Sequence, residues 1–167
     1  MNESYNRPCA LITGATSGIG AAFANRLAQN GFNLFLHGSR QNELTERAKN
    51  LEKKYNITVE IIIAELSQTE EIKKVEERIK NLDRLDILIN NAGYWEPGLL
   101  WEHSPDSLEA MIMVHNVAPV RFIRSALPNM LERKRGNIIN VSSVGAFFNM
   151  VTTENYGATK AYLINFT

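Results

Sequence analysis

Tyr156 and Lys160 stand four residues apart, so on a helix they share one face. A tyrosine phenol ordinarily titrates near 10, about three units too high for facile proton transfer at neutral pH. A neighbouring ammonium favours the phenolate and lowers that value. Tyr-x-x-x-Lys is therefore a physically sensible acid–base device, although the bare spacing also describes an amphipathic helix with a surface lysine. A second group is Thr13-Gly14-Ala15-Thr16-Ser17-Gly18-Ile19-Gly20. Its three glycines permit a tight turn, close backbone approach to a ligand and close helix–strand packing. Free N–H groups at the start of the following helix suit a pyrophosphate. Thr13, Thr16 and Ser17 can add hydroxyl donors. The spacing lacks the Lys-Ser/Thr pair of a P-loop, which argues against triphosphate hydrolysis. An ordinary turn would look the same in isolation.

The residues after the second apolar run bear on the adenosine end of such a site. His37-Gly38-Ser39-Arg40 contains no acid to hold free ribose hydroxyls. Ser39 and Arg40 can instead receive a 2′-phosphate, unless Arg40 is a solvated surface residue. His37 reads as a strand-end residue.

These groups need a frame. Ala10 to Ile12 opens as a strand and runs into the glycine-rich turn. Phe23 and Leu27 recur at helical spacing from Ile19, and Gly31 fits a helix stop. Asn33 to His37 is the next strand, and Leu44, Ala48, Leu51 and Tyr55 mark one helix face. Ile57 to Ala64 is rich in β-branched residues and reads as a third strand. Ser67 with Glu70 suggests a capping box for a helix carrying Ile72, Val75 and Ile79. Asp86 to Asn90 is strand four. Ser104-Pro105 predicts a helix start, and that helix should run to about Arg133. Asn137 to Ser142 is strand five, and a last helix begins near Tyr156. This alternation predicts an α/β fold, a doubly wound parallel sheet with the ligand at the carboxyl ends of the strands.

The bulk numbers exclude several classes. Hydrophobic residues make up 44% of the 167, and 18 basic residues balance 18 acidic ones. A nucleic-acid partner would call for a basic excess, and the Arg133-Lys134-Arg135 cluster reads as a helix end complementing its dipole. Cys9 is the only cysteine, so neither an internal disulfide nor a cysteine-based zinc site is expected. The first seven residues, Met1 to Arg7, are short and polar, and no run approaches a membrane span. A cytoplasmic protein without a membrane partner or metal is the expectation.

Asn90-Asn91-Ala92-Gly93 follows strand four, Asn116 lies in the long helix, and Ser143 stands thirteen positions before Tyr156. Together with the Thr13 to Gly20 loop and Tyr156-x-x-x-Lys160, this set resembles the short-chain dehydrogenase/reductase family. The match runs from about residue 8 to the end of the chain.

The resemblance implies a single dinucleotide-binding catalytic domain over residues 1–167, Rossmann-like, with about five strands present. It implies hydride transfer between NADP(H), or NAD(H), and a carbonyl or alcohol. NADP(H) is the preferred cofactor because of Ser39 and Arg40. Tyr156 would be the general acid or base. Lys160 would lower its pKa and hold the nicotinamide ribose, Ser143 would orient the substrate oxygen, and Asn116 would hold a relay water. Gly14, Thr16, Ser17, Gly18, Ile19 and Gly20 would hold the pyrophosphate. Asn91, Ala92 and Gly93 would form the cofactor's floor. A homo-oligomer is also implied.

There are departures. Glu65-Leu66 stands where the family usually has an aspartate against the adenine. Pro119 lies inside the long helix and removes a hydrogen bond to the carbonyl of His115, as a distortion beside Asn116 or as a plain kink. Tyr94, Trp95, Phe147, Phe148 and Met150 flank the expected site. They suit an apolar substrate, or packing under further chain. The sequence stops inside the helix that carries Tyr156, whereas family members continue with further strands, a Pro-Gly turn and a substrate lid. The C-terminal part of the fold is therefore expected to be missing. A non-catalytic nucleotide-binding module and a dimerisation scaffold are the rival readings.

Overall fold

The computed structural model of this chain describes residues 7–148 and 151–167; the expectations placed on Met1 to Asn6 and on Met150 lie outside the described residues. Strands β1 (Cys9–Ile12), β2 (Asn33–Gly38), β3 (Val59–Ile63), β4 (Ile87–Asn90) and β5 (Asn137–Asn140) alternate with helices. These are α1 (Gly18–Gln29), α2 (Gln41–Tyr55), α3 (Thr69–Lys80), α4 (Pro105–Ile112), α5 (Ala118–Glu132) and α6 (Glu154–Phe166). The strands pair in parallel in the order β3-β2-β1-β4-β5. This is the doubly wound, Rossmann-like α/β arrangement, and the order reverses between β1 and β4, where a crevice must open.

Side-chain alternation divides the interior in two. Leu11 and Leu88 point into a layer with Ile72, Val75 and Phe122 from α3 and α5. Ala10, Ile12, Leu34, Leu36 and Ile89 point the other way, onto Ala24, Ala28, Leu44 and Leu51 from α1 and α2. Both faces of the central strands are covered, which is why they read as unbroken apolar runs. Phe122 is fully buried, and truncating such a ring to alanine costs about 3–5 kcal/mol.

Helix ends follow local chemistry, with one correction. Ser104 Oγ accepts the Ser107 N–H at 3.1 Å, and Pro105 occupies the first turn. Gly31 takes φ +79 just beyond α1, a conformation that favours glycine. The capping box expected of Ser67 and Glu70 does not form. The helix starts at Thr69 behind Gln68, with no side-chain cap. Both the N–H (3.3 Å) and the hydroxyl (3.2 Å) of Ser67 go to Glu65 Oε1 instead, so the serine belongs to the turn after β3.

The expected helix from Ser104 to about Arg133 is continuous but not uniform. A π turn at Met113–Val117 separates α4 from α5. Pro119 falls in the first turn of α5, where its missing N–H is tolerated. Such one-turn bulges redirect a few side chains without ending the helix. Here they redirect Val114, His115 and Asn116, all buried. Other boundaries shift slightly. β3 and β5 are shorter than expected, and α6 starts two residues before Tyr156.

Candidate active site

The glycine-rich loop crosses the carboxyl end of β1 and feeds α1. Gly14 and Gly18 take φ +64 and +54, the left-handed region that L side chains avoid. A Cβ on Gly20 would run into the Gly14 carbonyl and lie 2.5 Å from Asn91 Nδ2, so only glycine lets the helix approach. A Cβ on Gly18 would meet nothing within 4 Å. The space over the first turn of α1 is open, as a pyrophosphate cradle requires.

Two residues hold this loop from behind. Asn91 Nδ2 donates to the carbonyls of Thr13 (2.9 Å) and Gly14 (3.1 Å). His37 Nδ1 accepts the Gly14 N–H at 3.4 Å, while Nε2–H donates to the Ala64 carbonyl at 3.1 Å. His37 is buried, and burial pushes its pKa down to about 4. It is a neutral brace rather than a mere strand end. Thr13 corrects an expectation. Its hydroxyl is buried and accepts the N–H groups of Asn91 and Ala92, each at 2.9 Å. It is spent inside the protein and cannot reach a phosphate. Thr16 and Ser17 do face open space.

Two adjoining cavities run along the carboxyl ends of the strands. One, about 540 Å³, is lined by Gly14, Thr16, Ser17 and His37 through Arg40, and by Ala64 through Ser67. Its wall thus includes Ser39, Arg40, Glu65 and Leu66, the residues expected at the adenosine end. Arg40 pairs with Glu43 at 2.8 Å and reaches Ser17 Oγ at 3.4 Å. The other cavity, about 410 Å³, joins Gly14, Ser17, Gly18 and Ile19 to Asn91, Ala92, Gly93, Tyr94, Trp95, Ser142, Tyr156 and Lys160.

Helix α6 supplies Tyr156 and Lys160. Lys160 is buried, its Nζ donates to the Val141 carbonyl at 2.9 Å, and burial lowers its pKa. Ser142 Oγ donates to the Lys160 carbonyl at 2.8 Å, and Asn116 Nδ2 donates to the Thr159 carbonyl at 2.9 Å. Asn116 therefore fastens the π turn to the acid–base helix. Ser143 Oγ accepts the Gly145 N–H at 3.1 Å. A Cβ on Gly145 would stand 3.4 Å from Tyr156 Cε1 and 3.5 Å from Ser143 Oγ, so Ser143 and Tyr156 flank the same point. Tyr94 and Trp95 line the cleft, whereas Phe147 and Phe148 are largely exposed.

Three contributors carried no sequence signal of their own. Ser142 sits beside the more conspicuous Ser143. His115 and Thr159 meet beneath the floor of the cleft, Nδ1 to Oγ1 at 2.8 Å, from positions 44 residues apart.

Fold and cleft together define a Rossmann-like α/β protein with a Tyr/Lys pair at its crevice. The chain matches the family model described as short chain dehydrogenase over residues 8–167. It is 34% identical over 159 residues to an uncharacterized oxidoreductase of Staphylococcus saprophyticus, covering 95% of this chain and 68% of that relative. It is 35% identical over 168 residues to the inactive hydroxysteroid dehydrogenase-like protein 1 of Homo sapiens, covering 99% of this chain and 50% of that one. Among solved structures it is similar to the bulky-bulky ketone specific alcohol dehydrogenase from Comamonas testosteroni. The TM-score is 0.93, with 34% identity, 96% of this chain and 65% of that one. It is also similar to a short-chain dehydrogenase from Sphingobium yanoikuyae in complex with NADPH. That TM-score is 0.92, with 33% identity, 95% of this chain and 62% of that one. The chain belongs to the short-chain dehydrogenase family, and it spans about half to two thirds of the length of these relatives. Among the described residues no helix is long and apolar enough to cross a membrane.

Proposed function

We propose that this chain is the cofactor-binding and acid–base part of an oxidoreductase that moves a hydride between NADP(H) and a carbonyl or alcohol, with NAD(H) the less favoured cofactor. One observation carries the reading. Tyr156 and Lys160 line a cleft continuous, through Gly14, Ser17, Ala92 and Gly93, with the cavity that holds Ser39 and Arg40. The open space over Gly18 and the absence of an acid in His37-Gly38-Ser39-Arg40, at the end of β2, fit a 2′-phosphorylated dinucleotide. The NADPH complex of the Sphingobium relative supports it.

When bound, that dinucleotide supplies or accepts the hydride. The chain's own residues do the rest. Gly14, Thr16, Ser17, Gly18, Ile19 and Gly20 hold the pyrophosphate, and Ser39 and Arg40 hold the 2′-phosphate. Glu65 and Leu66 border the adenine, and Asn91, Ala92 and Gly93 form the floor. Ser143 orients the substrate oxygen. The Tyr156 hydroxyl gives its proton to that oxygen in reduction and takes it back in oxidation. The buried Lys160 ammonium holds the ribose and steadies the phenolate, and Asn116 keeps the helix in place.

Tyr94 and Trp95 make one wall aromatic, which suits an apolar substrate; the Comamonas relative is described as specific for bulky-bulky ketones. A single catalytic domain acting as a homo-oligomer completes the reading. A cytoplasmic location is part of the same proposal. The test is NADPH oxidation with a panel of bulky ketones. Turnover with a ketone, faster than with NADH, supports the proposal. NADPH binding without turnover would favour the second reading, a non-catalytic nucleotide-binding module. The similarity to a human relative named inactive keeps that reading in view.

A further inference from the structure

The π turn carries a second buried side chain beside Asn116. His115 is fully buried. Its Nε2 accepts the Tyr94 N–H at 3.1 Å, and its Nδ1 lies 2.8 Å from Thr159 Oγ1. Thr159 donates its only hydroxyl proton to the Tyr156 carbonyl at 2.8 Å. The Thr159 oxygen must therefore accept, so Nδ1 carries the proton and Nε2 is bare. The two bonds hold together only for the neutral ring, because a protonated Nε2 could not accept the Tyr94 N–H. Burial and the Lys160 ammonium disfavour its protonation. The rings of Tyr94 and Tyr156 both meet this imidazole edge-on, each 5.7 Å between centroids. A Cβ on Gly93 would stand 2.8 Å from His115 Nε2 and 3.5 Å from Lys160 Nζ, so the floor of the cleft is seated directly on the imidazole.

Resting on the function proposed above, we infer that His115 is a positioning residue: a neutral Nδ1–H imidazole that fixes the spacing between the Tyr94 wall of the cleft and the Tyr156 phenol. It touches neither open cavity, so it acts through the residues on either side. The cofactor floor has an independent hold, because Thr13 Oγ1 takes the N–H groups of Asn91 and Ala92. Loss of His115 should therefore disturb proton transfer more than cofactor binding. Displacement of a reacting group by about 1 Å reduces rate by about a hundredfold.

His115→Phe keeps a ring of similar size and both edge-on contacts but removes both hydrogen bonds. His115→Gln returns an acceptor toward the Tyr94 N–H. Thr159→Val breaks the chain from the other end. Each is compared with wild type for NADPH affinity, for kcat and KM with a bulky ketone, and for the ring resonances of Tyr156 in tyrosine-labelled protein. The expected result for His115→Phe is a kcat lowered about ten- to hundredfold, with KM and NADPH affinity unchanged and the Tyr156 resonances moved. His115→Gln recovers part of the loss, and Thr159→Val reproduces it. Wild-type kcat and unmoved Tyr156 resonances in His115→Phe would overturn the inference, as would a Gln variant no better than Phe. Where His115→Phe does not fold, Thr159→Val and His115→Gln decide by the same criteria. If the wild-type chain fails to bind NADPH, or binds it without turnover, the functional reading is at fault. The Tyr156 resonances then judge His115 alone.

Discussion

The Lys160 ammonium stands 5.8 Å from the centre of the Tyr156 ring, and its Nζ is tied to the Val141 carbonyl at the end of β5. One turn of α6 thus presents a phenol to the cleft with a buried cation behind it.

Arg40 should decide between the two dinucleotides. It is held over the cleft by Glu43 and Ser17. A charge-assisted bond to a phosphate contributes about 1.5–3 kcal/mol, or about a ten- to hundredfold preference. Arg40→Ala should weaken NADPH by that factor and leave NADH unchanged, as competitive titration would read. Equal affinities in wild type, untouched by the substitution, would refute it.

Gly20→Ala should damage the cradle. The added methyl meets the Gly14 carbonyl and the Asn91 amide at once, and overpacking of this kind costs about 1–3 kcal/mol. NADPH affinity should fall together with the melting temperature. Gly31→Ala, strained by its φ of +79 but facing open space, should lower the melting temperature without touching NADPH affinity.

Thr13→Val keeps the shape and deletes the acceptor for two N–H groups. A buried donor left unmet costs about 1–3 kcal/mol, so denaturant titration should show a loss of at least that size. Thr13→Ser keeps the oxygen and should stay near wild type.

Acid should destabilise the fold through two buried histidines. Burial holds both His37 and His115 down to about 4, against 6.5 for a free imidazole. Between those values the unfolded chain binds protons that the folded one refuses. Stability therefore falls as pH drops from 6.5 toward 4, by about 1.4 kcal/mol per pH unit for each histidine, and levels off below. Denaturant titrations across that window check the slope. His115→Phe should remove roughly half of it.

Most of the frame was legible in the sequence because it rests on local pattern. The apolar runs at β1, β2 and β4 and the spacing of Leu44, Ala48 and Leu51 need no partner to be read. Tyr156, Lys160 and Ser143 were brought together by their likeness to a family pattern rather than by spacing alone; Tyr156 and Lys160 line one cleft, and Ser143 stands beside Tyr156. What could not be read depends on partners distant in sequence. The Thr13 hydroxyl serves N–H groups 78 and 79 residues away. Ser67 left its expected cap because Glu65 competes for it. The role of His115 arises only once the π turn swings it against Thr159. Pro119 hinted at a disturbance there without saying which side chains it would turn inward.

The central claim is that Tyr156 moves the proton. Tyr156→Phe retains the ring against His115 and removes only the hydroxyl. In single-turnover kinetics with bound NADPH and a ketone that the wild type reduces, the account predicts unchanged NADPH affinity and a chemical step slowed at least about a hundredfold. A variant that binds NADPH and reduces the ketone at the wild-type rate would contradict it.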